Sequence, residues 1–165
     1  MRITGYACHF NKRNKNGEIV TAKSFEKSLQ RHIDEDIVIP INYNHQSDVI
    51  LGKVVEYRFA NDGLIITAEL NDDVDVVKNY VAPLVKDGTF NRFSTEGYIS
   101  RDTIEKVSDD TYIANEFDLT AVAIVVNPAD TDAYFIVNSV RGEGVHCLDV
   151  YQPMTPKVNK ALYII

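Results

Sequence analysis

The segment GTFNRFSTEGYIS (Gly88–Ser100) alternates polar residues with apolar or aromatic ones, which is the pattern of a β-strand. It places Ser94 directly after Phe93 and three residues before Gly97. A serine hydroxyl is a poor nucleophile unless a base removes its proton and backbone N–H groups stabilise the oxyanion. Gly97 would let the chain pass close to a substrate carbonyl. The segment alone leaves two interpretations open: Ser94 is a nucleophile, or it is one polar residue on the solvent side of a sheet.

Strand-like segments of the same character lie on both sides of this one. They are rich in β-branched and aromatic residues, and Gly, Asn or Asp separates most of them. The segments are RITGYACHF, DIVIPINY, VILGKVVEYRF, GLIITAEL, DTYIANEFDLTAVAIVV and AYFIVNSV. Their spacing predicts a compact, mostly antiparallel sheet or barrel.

Two segments, TAKSFEKSLQRHIDE and NDDVDVVKNYVAPLVKDG, switch to a helical period. Their apolar stripes are Phe25, Leu29 and Ile33 in the first and Val77, Val81 and Val85 in the second. Each stripe predicts a surface helix packed on the sheet, so the fold class is α+β. Gly88 is placed to end the second helix, and Pro83 is expected to kink or split it.

The composition restricts the classes of function. The chain has 165 residues, 45% of them hydrophobic, which is enough for one core. A formal net charge of −7 argues against binding to a nucleic-acid backbone, which needs clustered Lys and Arg. The basic cluster NKRNKNG (Asn11–Gly17) is expected to be a solvated hairpin loop. No stretch has the length of a membrane span and no signal sequence opens the chain, so we expect a soluble protein that stays where it is made.

The last 27 residues change character, with two glycines, two prolines and an apolar end. We expect one domain over residues 1–138, with residues 139–165 as a C-terminal extension or docking strand of the same domain. Cys8 and Cys147 are too few and too far apart for a disulfide framework or a zinc site. The acidic run NDDVD lacks the Gly and the terminal Glu of a calcium loop. We therefore predict no metal and no cofactor.

Four histidines raise the question of a general base. His9, His32 and His146 are interpreted as structural or solvated. His45 differs, because it follows an apolar strand in INYNHQSDVILG and lies in a polar loop, where reactive groups are often presented. Taken alone, a turn histidine bonded to its neighbours remains an open alternative.

Four blocks follow one another in an order that is typical of one protein family. The blocks are GYACHFNKRNKNGEIVTAKSFEKSL (Gly5–Leu29), IPINYNHQSDVILGKVVEYRFANDGLIITAEL (Ile39–Leu70), VKDGTFNRFSTEGYI (Val85–Ile99) and FDLTAVAIVVNPADTDAYF (Phe117–Phe135). Together they resemble the tailed-phage prohead (capsid maturation) serine proteases, whose fold is similar to that of the herpesvirus assembly proteases. The resemblance implies a herpesvirus-protease-like barrel or sheet flanked by a few surface helices.

The resemblance also implies the roles of individual residues. It makes His45 the general base and Ser94 the nucleophile of an acyl-enzyme mechanism. The backbone N–H groups of Ser94 and Thr95 are the expected oxyanion hole.

The chain departs from the family at one position, where the strand of the last block usually carries an acid and this sequence has Ala121. Asp118 is the expected third member of the site, although alternation along a strand would turn it away from the side of Ala121 unless a bulge shifts the register. Glu116, a water molecule and His146 remain alternatives.

The function that the resemblance implies is a serine endopeptidase that cleaves scaffold and capsid proteins, and its own chain as a further substrate, during procapsid maturation. Its partners would be the scaffold and the major capsid protein, inside the assembling procapsid in the host cytoplasm, with no nucleic acid and no membrane. A homo-oligomer such as a dimer is expected. Two alternatives stay open: a weak or inactive relative that serves as a scaffold or assembly factor, and an unrelated β-rich binding module.

Overall fold

A computed structural model describes residues 1–138 of the chain, so the predictions for residues 139–165, including His146 and Cys147, lie outside the described residues. The strands are β1 (Arg2–His9), β2 (Glu18–Ile19), β3 (Pro40–Tyr43), β4 (Gln46–Phe59), β5 (Gly63–Leu70), β6 (Arg92–Ile99), β7 (Ile104–Lys106), β8 (Tyr112–Ala114), β9 (Phe117–Val125) and β10 (Phe135–Val137). The helices are α1 (Ala22–Asp34) and α2 (Ala82–Lys86), with a π-helical turn at Val77–Val81 and a 3₁₀ turn at Arg101–Thr103. The predicted α+β class is confirmed.

Seven strands form one sheet in the order β10-β1-β5-β4-β3-β9-β6. Every neighbouring pair is antiparallel except β3 and β9, which run parallel. The Phe93 amide donates to the Ala133 carbonyl and the Phe135 amide to the Asn91 carbonyl, each at 2.9 Å. These bonds bring the two edges of the sheet together, so the sheet curls into a barrel-like shape. A second sheet has the order β2-β8-β7.

Helix α1 packs on the outer side of β9. Thr21 caps its first turn by accepting a hydrogen bond from the Ser24 amide. Phe25 and Leu29 are fully buried, as the sequence predicts, and the Phe25 ring lies 5.0 Å from that of Phe117 at the start of β9. The burial of this stripe fixes the strand on which the candidate site rests.

The second predicted helix is split. The π-helical turn ends at Val81, and α2 begins one residue before Pro83, whose missing N–H is harmless in a first turn. Gly88 ends the helix at a φ of +83°, a backbone conformation that other residues rarely adopt. The chain then enters β6, so this short helix sets the start of the strand that carries Ser94.

Candidate active site

Strand β6 places Ser94 at the wall of a cleft. The preceding residue, Phe93, is fully buried, and its ring packs 4.6 Å from that of Phe135. Because side chains alternate along a strand, Ser94 points to the opposite face. It pairs with Ala123 of β9 and keeps 7% of its surface exposed. Ser94 is therefore held in a paired strand, and although nearly buried it lines the cleft.

A tight turn between β3 and β4 presents His45. Tyr43 pairs with Gln46, which leaves Asn44 and His45 as a two-residue loop with positive φ angles of 48° and 63°. The Asn44 amide donates to the Ile124 carbonyl of β9 at 3.0 Å, so the turn is tied to the strand that also pairs with Ser94. The His45 side chain is 44% exposed. The sequence prediction of a histidine at a sheet-held loop end is confirmed by this placement.

Glu96 supplies a carboxylate to His45. One of its oxygens, Oε1, lies 3.1 Å from His45 Nδ1. The same oxygen accepts a hydrogen bond of 2.6 Å from the side-chain nitrogen Nδ2 of Asn42. Asn42 is 1% exposed and Glu96 22% exposed. A carboxylate at Nδ1 favours the tautomer that carries its proton there, which leaves Nε2 free to accept a proton. Glu96 follows Ser94 by two residues, so both side chains lie on the same face of β6.

The register of β6 and β9 explains how Glu96 reaches this position. Glu96 pairs directly with Ala121, the position where the resemblance expects an acid. Ala123, the next alternate residue of β9, pairs with Ser94 on one side and with Asn42 of β3 on the other. Two alanines thus line the path between the strands, and their small side chains leave room for the Glu96 carboxylate to cross β9.

Asp118, the expected third member, lies elsewhere. The register shift that it required does occur, because β9 has one extra residue between Leu119 and Ala121. Its carboxylate nevertheless lies 2.6 Å from the Arg31 guanidinium and accepts a hydrogen bond from the Ser28 hydroxyl of α1 at 3.1 Å. The structure therefore does not bring Asp118 to His45.

The alternative carboxylate, that of Glu116, also turns to α1. It forms an ion pair of 3.2 Å with Lys27. Both acids that the sequence offered in place of Ala121 therefore pair with basic side chains of α1.

Ser94 and His45 line one cleft of about 320 Å³. Thr95 lines it too, while the oxyanion role of the Ser94 and Thr95 amides remains a prediction. Cys8 also reaches this cleft, but burial raises the pKa of its thiol far above the usual value. A buried neutral thiol is a poor nucleophile, so the cleft favours serine chemistry.

A second histidine and carboxylate pair stands in the same cleft. His9 Nδ1 lies 2.8 Å from Asp130 Oδ2, and the His9 backbone amide donates to the same oxygen at 2.6 Å. The His9 ring stacks on Tyr6 with 4.3 Å between ring centroids. The side chains of His9 and Asp130 are only 17% and 13% exposed. This pair ties the end of β1 to the loop before β10.

Within residues 1–138, no group of three or more His, Cys, Asp or Glu side chains is arranged to hold a metal ion. In the same range, none of the helices combines the length and the apolar character needed to cross a bilayer.

Serine proteases use a serine, a histidine and a carboxylate, and here Ser94 and His45 line one cleft while Glu96 contacts His45. A family model of the Caudovirus prohead serine proteases matches residues 1–146, and the chain belongs to this family. The predicted resemblance is thereby confirmed, and with it the assignment as a serine protease.

Solved structures of viral proteases share the fold. The bacteriophage T4 capsid assembly protease is 17% identical, with a TM-score of 0.59 over 77% of this chain and 82% of that one. The varicella-zoster virus protease is 14% identical, with a TM-score of 0.51 over 81% of this chain and 62% of that one. These two comparisons confirm the herpesvirus-protease-like fold. No curated protein sequence matches the chain.

Sequence reasoning missed Glu96, although a signal for it was present. The alternation that makes β6 a strand also puts Glu96 on the same face as Ser94. What the sequence does not contain is the register of β6 against β9 and of β9 against β3. That register alone shows that a carboxylate two residues after Ser94 can reach His45.

Proposed function

We propose that the chain is an endopeptidase that cleaves the scaffold and major capsid proteins, and itself, inside the assembling procapsid in the host cytoplasm. The observation that carries this proposal is the cleft that Ser94 and His45 both line, together with the Glu96 carboxylate at His45 Nδ1. Membership of the prohead protease family supports capsid-related substrates.

The proposed reaction begins when His45 Nε2 takes the proton of the Ser94 hydroxyl. The oxygen attacks the carbonyl carbon of the scissile peptide bond, and the negative charge that develops is stabilised by the backbone N–H groups of Ser94 and Thr95. The carbon–nitrogen bond breaks as the imidazolium returns its proton to the leaving amine. Water, deprotonated by His45, then hydrolyses the acyl-enzyme ester and releases Ser94.

Glu96 takes the role that was expected of Asp118. Its carboxylate holds the His45 ring in one orientation and stabilises the imidazolium that forms during each proton transfer. Asn42 in turn fixes the carboxylate by donating to the same oxygen, and its burial leaves it little freedom to move. The site would thus be a triad whose acid comes from the serine strand itself.

Co-expression with the scaffold and major capsid proteins of the same phage tests this function. Mass spectrometry of the assembled particles should find shortened capsid protein with the wild-type chain and none with Ser94→Ala. Ser100→Ala is the matched control, because Ser100 directly follows the same strand and its side chain makes no capping hydrogen bond. Equal shortening by the wild type and Ser94→Ala would refute the assignment of the nucleophile.

The second candidate that the sequence leaves open is an inactive relative that acts as an assembly factor, because Ala121 stands where the family usually carries an acid. In that case the wild-type chain would leave the capsid protein at full length, and procapsids would fail to form without it. Particles of normal shape and yield with Ser94→Ala, combined with uncleaved capsid protein, would instead separate assembly from proteolysis and support the enzyme.

A further inference from the structure

The basic loop between β1 and β2 lies at the cleft. Lys12, Arg13 and Lys15 line the same cleft as Ser94 and His45. The sequence predicts a solvated hairpin loop here. Strands β1 and β2 pair with different strands, but backbone hydrogen bonds from the Asn11 amide to the Val20 carbonyl and from the Asn14 amide to the Glu18 carbonyl, at 2.8 and 2.9 Å, join the two limbs of the loop. Three of the 17 basic residues of a chain with net charge −7 are thus gathered at one cleft.

Hydrogen bonds from the Asn14 side chain and a backbone contact with Ala129 hold this loop in place. The Asn14 side-chain oxygen accepts hydrogen bonds from the amides of Asn16 and Glu18 at 2.9 and 3.0 Å. The Lys15 amide donates to the Ala129 carbonyl at 3.0 Å, which ties the loop to another wall of the cleft. Gly17 has a φ of +81°, and a Cβ there would lie 2.1 Å from the Asp110 carbonyl oxygen. A loop fixed before substrate arrives loses little entropy on binding.

The charges of two of the three basic side chains are already neutralised. Lys12 forms an ion pair with Asp132, whose hydrogen bond raises the pKa of the Lys12 ammonium. Arg13 lies 3.0 Å from an Asp110 carboxylate oxygen. The Lys15 ammonium makes no ion pair or hydrogen bond with any of residues 1–138.

The acidic side chains of the cleft are also engaged. Asp130 accepts from the His9 amide and contacts its ring. Glu18 accepts from the Asn14 side-chain nitrogen at 2.8 Å and from the Tyr112 hydroxyl at 3.2 Å. Of the Lys, Arg, Asp and Glu side chains that line the described part of the cleft, Lys15 is left without a partner.

We propose that Lys15 binds the carboxylate of an Asp or Glu side chain that lies beside the scissile peptide bond of the substrate. This inference rests on the proposed function, because it assigns a specificity to the same cleft. One unpaired ammonium matches the single charge of a side-chain carboxylate. An ammonium on a flexible stem also accepts both Asp and Glu, since it binds as a point charge and not as a planar fork.

The test uses a pool of synthetic peptides of equal length with mixed residues at every position. The wild-type protein digests one sample, and mass spectrometry identifies the cleavage sites. Immobilised Ser94→Ala protein retains peptides from a second sample, so binding is read without chemistry. We expect Asp and Glu near cleaved bonds, and in retained peptides, to be enriched about threefold to fivefold, as an exposed ion pair allows.

Three variants complete the design. Lys15→Gln should abolish the enrichment, and Lys15→Glu should replace it with enrichment of Lys and Arg. Lys23→Glu is the matched control, since it makes the same change in charge at an exposed position of α1, and it should leave the preference of the wild type unchanged. The variants are read in both samples.

The outcomes separate the inference from the proposed function. Cleavage without acidic preference, or with the same preference in Lys15→Gln, overturns the inference and leaves the protease intact. Acid-rich retention that depends on Lys15, with no cleavage by the wild type, supports the inference and overturns the proposed chemistry. Neither cleavage nor acid-rich retention overturns both.

Discussion

Two histidine–carboxylate pairs face the same cleft, and they differ in how tightly the protein holds them. The His9–Asp130 pair is 2.8 Å long, nearly buried, and reinforced by the His9 backbone amide and by stacking on Tyr6. The His45–Glu96 pair is 3.1 Å long, and its histidine is 44% exposed at the tip of a two-residue turn.

The difference indicates which histidine can perform proton transfer. A general base has to exchange protons with substrate and water, which requires an accessible ring nitrogen and a carboxylate at the other nitrogen. His45 meets both conditions and lines the cleft that Ser94 also lines. His9 is fixed on three sides, so its pair is suited to joining β1 to the loop that carries Asp130. Similar chemistry in two environments thus gives one pair that we propose to be catalytic and one that we propose to be structural.

The largest expected effect comes from exchanging each histidine in turn. His45→Asn, which suits the positive φ of this turn, should lower kcat by about 10⁶-fold, as loss of the base does in other triads. His9→Asn should change kcat less than about tenfold, because its ring takes no part in proton transfer. Cleavage of a peptide obtained from the capsid protein measures both. A large loss of kcat in a folded His9→Asn protein would reverse the assignment of the two pairs.

The second largest effect on kcat is expected from replacing the carboxylate of Glu96. Glu96→Gln should lower kcat by about 10⁴-fold with a small change in KM, because an amide can stabilise the wrong tautomer of His45 and cannot stabilise its imidazolium. Asp118→Asn is the control and should retain kcat, since Asp118 contacts Arg31 and Ser28. Equal losses in the two variants would remove Glu96 from the triad.

The pairing of β6 with β9 also predicts that a second substitution can restore the activity lost in a Glu96 variant. Because Glu96 pairs directly with Ala121, the double variant Glu96→Ala and Ala121→Glu moves the carboxylate to the neighbouring strand. It should recover at least a tenth of the wild-type kcat, whereas Glu96→Ala alone should not. Steady-state kinetics on the same peptide measure this. No recovery in a double variant with a wild-type circular dichroism spectrum would contradict the placement of the two positions.

A smaller effect is expected on the free energy of unfolding, which the His9 substitution should lower more than the His45 substitution does. His9→Asn leaves the partly buried Asp130 carboxylate without its ring partner and should lower the free energy of unfolding by about 1–3 kcal/mol. His45→Asn changes an exposed side chain and should stay within about 0.5 kcal/mol of the wild type. Urea unfolding followed by circular dichroism compares them. A greater loss of stability in His45→Asn would contradict the structural role of His9.

The smallest expected effect is on the pH dependence of stability and comes from His32, a buried histidine outside both histidine–carboxylate pairs. Burial, followed by the charge of Arg31, lowers the pKa of His32 below its usual value of 6.5. The unfolded chain therefore binds a proton at a higher pH than the folded chain does, so the free energy of unfolding falls as the pH drops below about 6.5. His32→Gln should weaken this dependence. An identical pH dependence in the variant, from urea unfolding at several pH values, would exclude the contribution of His32.

Much of the architecture could be predicted because it rests on local pattern. The apolar stripe of α1, the break at Pro83 and the alternation of β6 are each encoded within about 15 residues of sequence. Ser94 and His45 could be proposed because each lies in a recognisable block. Their common cleft follows from the order of the strands, which brings β3 and β6 to the two sides of β9.

The third member of the site could not be predicted, because its position depends on pairing between distant strands. Glu96 meets His45 only because β9, whose small residues Ala121 and Ala123 face them, lies between their strands. Asp118 lies closer than Glu96 to Ala121 in the sequence. Its carboxylate, however, pairs with Arg31 of α1, which is 87 residues away along the chain. The place of the basic loop at the cleft depends on a distant contact in the same way, since the Lys15 amide donates to the Ala129 carbonyl.

Covalent labelling of Ser94 by a fluorophosphonate tests the central claim most directly, because the reagent reacts far faster with an activated serine hydroxyl than with an ordinary one. Peptide mapping by mass spectrometry should find the adduct on Ser94 in the wild type and in His9→Asn, at similar rates. Labelling should be slower by orders of magnitude in Glu96→Gln and absent in His45→Asn. Equal labelling of Ser94 in the wild type and in His45→Asn would contradict the account.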